Sequence, residues 1–192
     1  AIPIALKRRD ILAAAQSGTG KTAAFLLPIL AELLETKQTK TILRTLILVP
    51  TRELASQISK AVEDFSKYMD ISSLAMVGGV STKDQEKKIA KGIDILVATS
   101  GRLMEHIKNK TVDLSSVTTV VIDEVDTLLD MGFLEDIEKI LPYVGPKRQI
   151  MMFSATMNQN VKKLAKEFLT DPVVIEVAQQ RSAVKIIDQQ IV

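Results

Sequence analysis

The sequence predicts an α/β fold in which a mostly parallel sheet carries helices on both faces. Short runs rich in valine, isoleucine and leucine recur along the chain, and helix-like segments fill most gaps between them. Such continuously apolar runs are typical of strands buried on both faces, and their alternation with helices is typical of parallel sheets. The predicted strands are residues 11–15, 46–49, 74–77, 93–98, 117–122, 149–153 and 173–177.

Length and composition indicate one compact domain over residues 1–177, followed by an exit segment at 178–192. The 192 residues suffice to bury a sizeable core, and the absence of cysteine excludes disulfides and thiolate metal sites. The net charge of +2 is small, so any nucleic-acid surface must be local. No apolar run could span a bilayer and no secretion signal is evident. We expect a cytoplasmic monomer without membrane contact. If the protein comes from a eukaryote, a nuclear location is the alternative.

A glycine-rich segment between the first predicted strand and the first long helix has the pattern of a phosphate-binding loop. It consists of Ala15, Gln16, Ser17, Gly18, Thr19, Gly20, Lys21 and Thr22, with Ala15 where the generic pattern has glycine. The glycines let backbone N–H groups converge on phosphate oxygens at a helix N-terminus. Lys21 can then reach the outer phosphates and Thr22 can bind Mg²⁺. A glycine turn that caps an ordinary helix is the simpler alternative.

Acidic residues follow the predicted strand 117–122, at the end where ligands of parallel sheets bind. They are Asp123, Glu124 and Asp126. Carboxylates at the end of a buried strand are costly unless a cation or hydrogen bonds compensate them. We therefore predict that Asp123 is an outer ligand of Mg²⁺ and that Glu124 orients or deprotonates an attacking water. Acids that collect at a helix N-terminus to match its dipole are the alternative.

Six short motifs follow one another along nearly the whole chain. They are Ala15 to Thr22, Pro50-Thr51-Arg52-Glu53-Leu54, Gly78-Gly79, Thr99-Ser100-Gly101-Arg102, Asp123-Glu124-Val125-Asp126 and Ser154-Ala155-Thr156. In this order and spacing they resemble the first RecA-like domain of the DEAD-box RNA helicases. Asp130-Met131-Gly132-Phe133, after the acidic motif, is also similar to the family. Each motif alone is weak evidence, but the set is highly specific.

The resemblance implies a role for each motif. Lys21 and its loop would hold ATP, Thr22 and Asp123 would hold Mg²⁺, and Glu124 would position the hydrolytic water. Ser154 and Thr156 would couple the nucleotide site to the RNA site, with Asp126 as their hydrogen-bond partner. Hydroxyls, arginines and exposed N–H groups suit a grip on the RNA backbone that reads no bases. The positions implied for RNA are Pro50, Thr51, Arg52, Gly79, Thr99, Gly101 and Arg102.

The chain departs from the family pattern at several points. Val125 replaces the family's alanine, where we expect local repacking, and Ser100 replaces proline, which loosens a turn of the RNA grip. Residues 1–6 resemble the stretch after the family's adenine-reading glutamine motif, so we expect that glutamine to be missing. Residues 186–192 resemble the approach to a second RecA-like domain. We expect the isolated chain to bind nucleotide weakly, bind RNA poorly and unwind nothing alone.

Two other functions remain open from the sequence. A nucleotide-switched module could bind RNA or protein with incidental ATP turnover, although such a switch does not require Glu124. A DNA translocase of the same superfamily is disfavoured by the Pro50 to Leu54 and Ser154 to Thr156 motifs.

Three further features of the sequence have structural interpretations. We expect His106 to be a surface or partly buried side chain without metal partners, and Met151 and Met152 to belong to the core. A solvated helix face is expected to carry Lys83, Lys87, Lys88 and Lys91.

Overall fold

The computed structural model describes residues 1–16, 18–36 and 41–177, which contain one seven-stranded sheet. The strands are β1 (Ile11–Ala14), β2 (Thr45–Val49), β3 (Ser73–Met76), β4 (Ile95–Thr99), β5 (Thr119–Ile122), β6 (Gln149–Ser154) and β7 (Val173–Glu176). Their order across the sheet is β3-β4-β2-β5-β6-β1-β7, and every pairing is parallel. All the predicted strands are confirmed, with ends that differ by at most two residues.

Helices cover both faces of the sheet, as the sequence predicts. They are α1 (Ile2–Ala5), α2 (Lys21–Glu35), α3 (Arg52–Phe65), α4 (Thr82–Ala90), α5 (Ser100–Lys108), α6 (Val125–Asp130), α7 (Leu134–Ile140) and α8 (Gln159–Phe168). Successive residues of a strand point to opposite faces. In β2, Ile47 belongs to an apolar cluster with α2 and α3, whereas Leu46 and Leu48 belong to one with α5 to α8.

The strand order divides the carboxyl edge of the sheet into two halves. Strands β1 and β2 are consecutive in the chain, but β6 and β5 lie between them. The loops after β1, β5 and β6 therefore meet at one half, which we call the β1/β5/β6 edge. The loops after β2, β3 and β4 form the other half, the β2/β3/β4 edge. Open parallel sheets bind ligands in such crevices, where the strand order reverses.

Ser17, residues 37–40 and the predicted exit segment 178–192 lie outside the described residues. Throughout the part of the chain that the structure describes, each helix is too short or too polar to span a lipid bilayer. The division into a domain at 1–177 and an exit segment stays a prediction.

Candidate functional site

The glycine-rich loop connects β1 to α2 at the β1/β5/β6 edge. Gly20 caps α2 with a φ of +88°, and Gly18 has a φ of +79°. A Cβ on Gly20 would meet no atom within 4 Å, so glycine is required there by the left-handed backbone and not by crowding. The Thr19 hydroxyl donates to the carbonyl of Gln16 at 2.7 Å and closes the turn. The loop thus has the sharp bend that the sequence predicts and leaves open space at its tip.

Lys21, the first residue of α2, carries a buried charge that has no hydrogen-bond partner among the described residues. Its side chain is 9% exposed, and its Nζ lies 3.9 Å from Oδ1 of Asp123, which is 3% exposed. That distance is too long for a hydrogen bond. Among the described residues, no acceptor lies within hydrogen-bonding distance and geometry of Nζ. A buried ammonium in this state is costly, and an anion with oxygen atoms at the open loop would stabilise it.

Burial at the end of β5 raises the pKa of Asp123 to about 6. The Lys21 ammonium and a 2.9 Å hydrogen bond from the Glu124 backbone N–H oppose the rise, but they do not cancel it. The negative charges of Glu124 and Asp126 add to it. The ionised carboxylate of Asp123 is therefore not fully compensated by the positive charge of Lys21. A divalent cation beside it would stabilise the ionised form.

The side chains at this edge suit Mg²⁺ that is bound together with a substrate phosphate. They do not suit a metal ion that is held by protein ligands alone. Across the described residues, no group of three or more His, Cys, Asp or Glu side chains could hold a metal. Mg²⁺ commonly uses one or two protein oxygens together with waters and substrate phosphates. The hydroxyl of Thr22, next to Lys21 on α2, and the carboxylate of Asp123 are oxygen ligands of that kind. The magnesium site at Thr22 and Asp123 stays a prediction, which the chemistry of these oxygen ligands fits.

Glu124 adopts a backbone conformation that is rare for a residue with a side chain. Its φ of 51° and ψ of 51° lie in the left-handed region, and it caps the start of α6. Such strain costs about 1–3 kcal/mol and persists where the surrounding structure enforces it, often at functional sites. The conformation ends the buried strand abruptly, so that Asp123 is buried while Glu124 remains partly accessible.

Asp126 joins α6 to the segment that follows β6. Its Oδ2 accepts hydrogen bonds from Thr156, at 2.9 Å from the backbone N–H and 3.1 Å from the hydroxyl. Burial alone would raise the pKa of Asp126, but contacts with Ser154 and Thr156 and nearby backbone N–H groups outweigh it and lower the pKa. The Ser154 hydroxyl is close enough to contribute, yet it does not meet hydrogen-bond geometry. The predicted hydrogen bond between Asp126 and Thr156 is present. The predicted hydrogen bond between Asp126 and Ser154 is not, because the Ser154 hydroxyl does not meet the geometry.

Arg52 lies against the glycine pair that follows β3, across the β2/β3/β4 edge. A Cβ on Gly78 would lie 3.2 Å from its Nη2, and a Cβ on Gly79 would collide with its Nη1. Gly79 also has a φ of +78°. The preceding Thr51 caps α3 by accepting from the backbone N–H of Leu54 at 3.2 Å. Two motifs far apart in sequence therefore form one surface, and the left-handed backbone of Gly79 favours glycine in this turn.

Arg102 fixes α5 to the start of α4. Its Nη1 donates to the Thr82 hydroxyl at 2.6 Å, and its Nη2 donates to the carbonyl of Val80 at 3.1 Å. An ion pair with Glu105 at 3.3 Å completes its contacts. Sequence reasoning missed Thr82 and Val80, because no local pattern pairs positions twenty or more residues apart.

The remaining members of the predicted RNA set lie at the ends of β2 and β4. Pro50 follows β2, Thr99 ends β4, and Gly101 lies in the first turn of α5 with no atom within 4 Å of a built Cβ. All the predicted RNA positions thus meet at the β2/β3/β4 edge, and all the described nucleotide positions meet at the β1/β5/β6 edge. Of the departures, Val125 is fully buried at the start of α6 and Ser100 is buried at the start of α5.

The prediction that His106 is a surface or partly buried side chain was wrong. Its side chain is 0% exposed, and both ring nitrogens are hydrogen-bonded, Nδ1 to Thr111 Oγ1 at 2.7 Å and Nε2 to Gln85 Oε1 at 2.9 Å. The ring lies on the inner face of α5 beside Leu103 and Ile107, so burial follows from its helical position. The interpretations of Met151 and Met152 as core and of the lysines of α4 as solvated are confirmed.

Comparisons with known proteins agree with this geometry. The profile of the DEAD/DEAH box helicase family matches residues 1–164. The chain is 44% identical to a probable ATP-dependent RNA helicase, ddx27, of Dictyostelium discoideum, over all of this chain and 25% of that protein. It is 42% identical to the RNA helicase CrhR of Synechocystis, over all of this chain and 38% of that protein. The yeast DEAD-box splicing factor Prp28 superposes with a TM-score of 0.84 and 34% identity, over 88% of this chain and 41% of that one.

A parallel sheet with a glycine loop after β1 and acids after β5 defines the class of RecA-like nucleotide-binding domains. Within that class, the chain belongs to the DEAD/DEAH box helicase family. It spans between 25% and 38% of the length of the two curated relatives named above.

Proposed function

We propose that this chain is the ATP-binding half of an RNA-dependent ATPase that separates short RNA duplexes when it is joined to a second RecA-like domain. The main support is the buried Lys21 ammonium, which has no hydrogen-bond partner among the described residues and lies 3.9 Å from Asp123 beside an open glycine loop. The names of the relatives, which are RNA helicases, support ATP and RNA as the ligands.

The residues of the β1/β5/β6 edge have complementary roles in hydrolysis. Lys21 and the loop N–H groups bind the outer phosphates, and Thr22 and Asp123 hold Mg²⁺. When bound, Mg²⁺ neutralises negative charge on the phosphates. The Glu124 carboxylate accepts a proton from a water whose oxygen bonds to the terminal phosphorus. The bond from that phosphorus to the bridging oxygen breaks with its electrons on ADP, and inorganic phosphate is released.

The β2/β3/β4 edge grips RNA through its backbone. Arginine and hydroxyl side chains and glycine N–H groups donate to phosphate and sugar oxygens, which carry no base identity. The grip is therefore independent of sequence, and the residues assigned to it are Pro50, Thr51, Arg52, Gly79, Thr99, Gly101 and Arg102.

Asp126 and Thr156 link the loop after β6 to helix α6, which begins directly after Glu124. Such a link lets a shift of the loop after β6 bias helix α6 and the adjacent Glu124, within the β1/β5/β6 edge. We further propose that a second RecA-like domain supplies arginine to the phosphates. An arginine of this kind contributes about 10³-fold or more to the rate, so this chain alone hydrolyses ATP slowly. The cytoplasmic location stays a prediction.

Glu124→Gln tests the proposed chemistry in a protein that carries both domains. Glutamine keeps the size of the side chain but cannot accept the proton, so RNA-stimulated ATP hydrolysis falls by about 10²-fold or more while ATP binding persists. Glu135→Gln is the matched control, because Glu135 is exposed on α7 and pairs only with Lys139 among its described ionic contacts. Hydrolysis at the wild-type rate in Glu124→Gln would contradict the mechanism and favour a nucleotide-switched binding module.

A further inference from the structure

A buried polar network joins α4 and α5 to the loop that follows β3, at the β2/β3/β4 edge. The amide Nε2 of Gln85, on α4, donates to the carbonyl of Val77 at 3.1 Å. Val77 directly follows β3 and directly precedes the glycine pair. Gln85 is buried, and its other amide atom, Oε1, lies 2.9 Å from Nε2 of His106 on α5. One side chain thus connects a loop carbonyl, α4 and α5.

The hydrogen-bond directions in this network are fixed by elimination. Because the Gln85 amide N–H₂ donates to Val77, its oxygen accepts, and the proton of the His106 ring must be on Nε2. Burial lowers the pKa of His106 and the nearby Arg102 guanidinium lowers it further, which favours the neutral ring. Nδ1 then accepts from the Thr111 hydroxyl at 2.7 Å. Every polar atom of the Gln85 and His106 side chains has a partner.

The segment between β3 and α4 is held at several points by side chains from three helices. Gln85 of α4 holds the Val77 carbonyl, and Arg52 of α3 lies against Gly79. Arg102 of α5 holds the carbonyl of Val80 and the Thr82 hydroxyl. The hydrogen bonds of Gln85 and His106 are satisfied, and a satisfied buried polar network specifies one geometry.

We propose that Gln85 and His106 are positioning residues that hold the Gly78–Gly79 turn and Arg102 in the arrangement that receives RNA. This inference rests on the proposed function, since it assigns these side chains to the RNA grip of the same site. Gln85 fixes the backbone that precedes the glycine pair, and His106 fixes Gln85 to the helix that carries Gly101 and Arg102. A grip made of backbone N–H groups depends on such placement, because the donors cannot adjust as side chains do.

Gln85→Glu tests the proposal with nearly unchanged size, because a carboxylate cannot donate to the Val77 carbonyl. In the 192-residue chain, titrated with a short oligouridylate and followed by NMR, we expect RNA affinity to fall by about tenfold, the effect of leaving one buried carbonyl without its donor. Affinity for Mg²⁺–ADP stays within about twofold. Amide hydrogen exchange at Gly78 and Gly79 accelerates, while exchange in β2 and β5 changes only as global stability does.

Ser72→Ala is the matched control at the opposite end of β3. The Ser72 hydroxyl has two acceptors within hydrogen-bonding distance, the Gly92 carbonyl at 3.3 Å and the Asp94 carboxylate at 3.2 Å, but it lies at the amino edge of the sheet. We expect Ser72→Ala to lower stability without changing RNA affinity or amide hydrogen exchange at Gly78 and Gly79. If Gln85→Glu does not fold, Gln85→Met and His106→Leu replace it, and their effects on RNA affinity are non-additive because they break one network.

The possible results separate this inference from the function on which it depends. RNA binding by the wild type that Arg52→Ala weakens but Gln85→Glu leaves unchanged would overturn the inference alone. Failure of the wild type to bind RNA at any concentration would overturn the proposed RNA grip and the inference with it. A loss of RNA affinity in Gln85→Glu that Ser72→Ala reproduces would show a general stability effect and would also overturn the inference.

Discussion

Two buried ion pairs lie at opposite edges of the sheet, and they differ in how completely they are satisfied. At the amino edge, Arg44 Nη2 lies 2.9 Å from Asp94 Oδ1, with side chains 10% and 8% exposed. Arg44 Nη1 also donates to Thr36, and Asp94 accepts from both the backbone N–H and the hydroxyl of Ser72. At the carboxyl edge, Lys21 and Asp123 are as deeply buried but lie 3.9 Å apart.

The difference separates a structural pair from a ligand site. Arg44 and Asp94 direct their charges at each other and at neighbouring groups, which is how a buried pair offsets its loss of hydration. Lys21 has no hydrogen-bond acceptor among the described residues, and burial raises the pKa of Asp123 to about 6. Burial alone does not distinguish the two pairs. Unsatisfied charge beside open space is the feature that indicates a ligand site. Each of the two pairs can be broken separately by substitution.

Arg44→Met should have the largest effect on stability. It leaves Asp94 buried without its main counter-charge, so we expect the free energy of unfolding to fall by about 3–5 kcal/mol. Chemical denaturation measures this loss. Nucleotide affinity per folded molecule should be unchanged, because the pair lies at the amino edge. A stability loss below about 1 kcal/mol would show that the pair is not structural.

Asp123 should make stability depend on pH in a defined window. Its folded pKa of about 6 exceeds the usual value of 3.8, so the folded state retains this proton as the pH rises while the unfolded chain loses it. The contribution of Asp123 to stability therefore falls between pH 3.8 and pH 6, by up to about 3 kcal/mol, and is constant above that range.

Asp123→Asn checks this dependence. The variant should be more stable than the wild type at pH 7, and the difference should vanish below about pH 4 as the wild-type carboxyl becomes protonated. Thermal denaturation across this pH range measures it, with Asp84→Asn on the solvated face of α4 as the control. Equal stability of Asp123→Asn and wild type at pH 7 would contradict the raised pKa.

Thr156→Val should have a smaller effect, at the hydrogen-bonded link between α6 and the loop after β6. It removes the 3.1 Å hydroxyl bond to Asp126 and keeps the 2.9 Å backbone bond. We expect a loss of about 1.5–2 kcal/mol, as for one hydrogen bond to a charged group, and a rise in the pKa of Asp126. NMR titration of the carboxyl carbon measures the pKa. An unchanged pKa would mean that the hydroxyl does not stabilise the carboxylate.

Glu124→Gly should have the smallest effect on stability. Its sign should be opposite to that of Arg44→Met and Thr156→Val. Glycine adopts the left-handed conformation without penalty, so we expect the variant to be more stable by about 1 kcal/mol while losing ATP hydrolysis. Glu124→Gln should lose hydrolysis without the gain in stability. A destabilised Glu124→Gly would show that the Glu124 side chain supports the fold as well as the proposed chemistry.

The fold was predictable because its strands are continuously apolar. All five residues of β2 and all four of β5 are buried, and no polar residue interrupts the pattern at their centres. Strand ends were less predictable, because residues such as Thr99 and Ser154 are compatible with both a strand and the following loop. The meeting of Lys21 and Asp123 followed from topology, since the carboxyl ends of parallel strands share one edge.

The contacts of the β2/β3/β4 edge were not predictable. Arg102 with Thr82, and Gln85 with Val77, depend on how helices α4 and α5 lie against each other, which no sequence period specifies. The burial of His106 did leave a signal. It follows Leu103 by three residues and precedes Ile107, so it shares their helical face, and a polar residue there needs hydrogen-bond partners.

Calorimetric titration of the 192-residue chain with Mg²⁺ and a non-hydrolysable ATP analogue tests the central claim most directly. Lys21→Met removes the unsatisfied ammonium, and Lys67→Met removes an exposed one that lies over the Tyr68 ring. We predict one saturable site in the wild type and in Lys67→Met, and a loss of about tenfold to 100-fold in affinity in Lys21→Met. Wild-type affinity in Lys21→Met would contradict the assignment of this edge to the nucleotide.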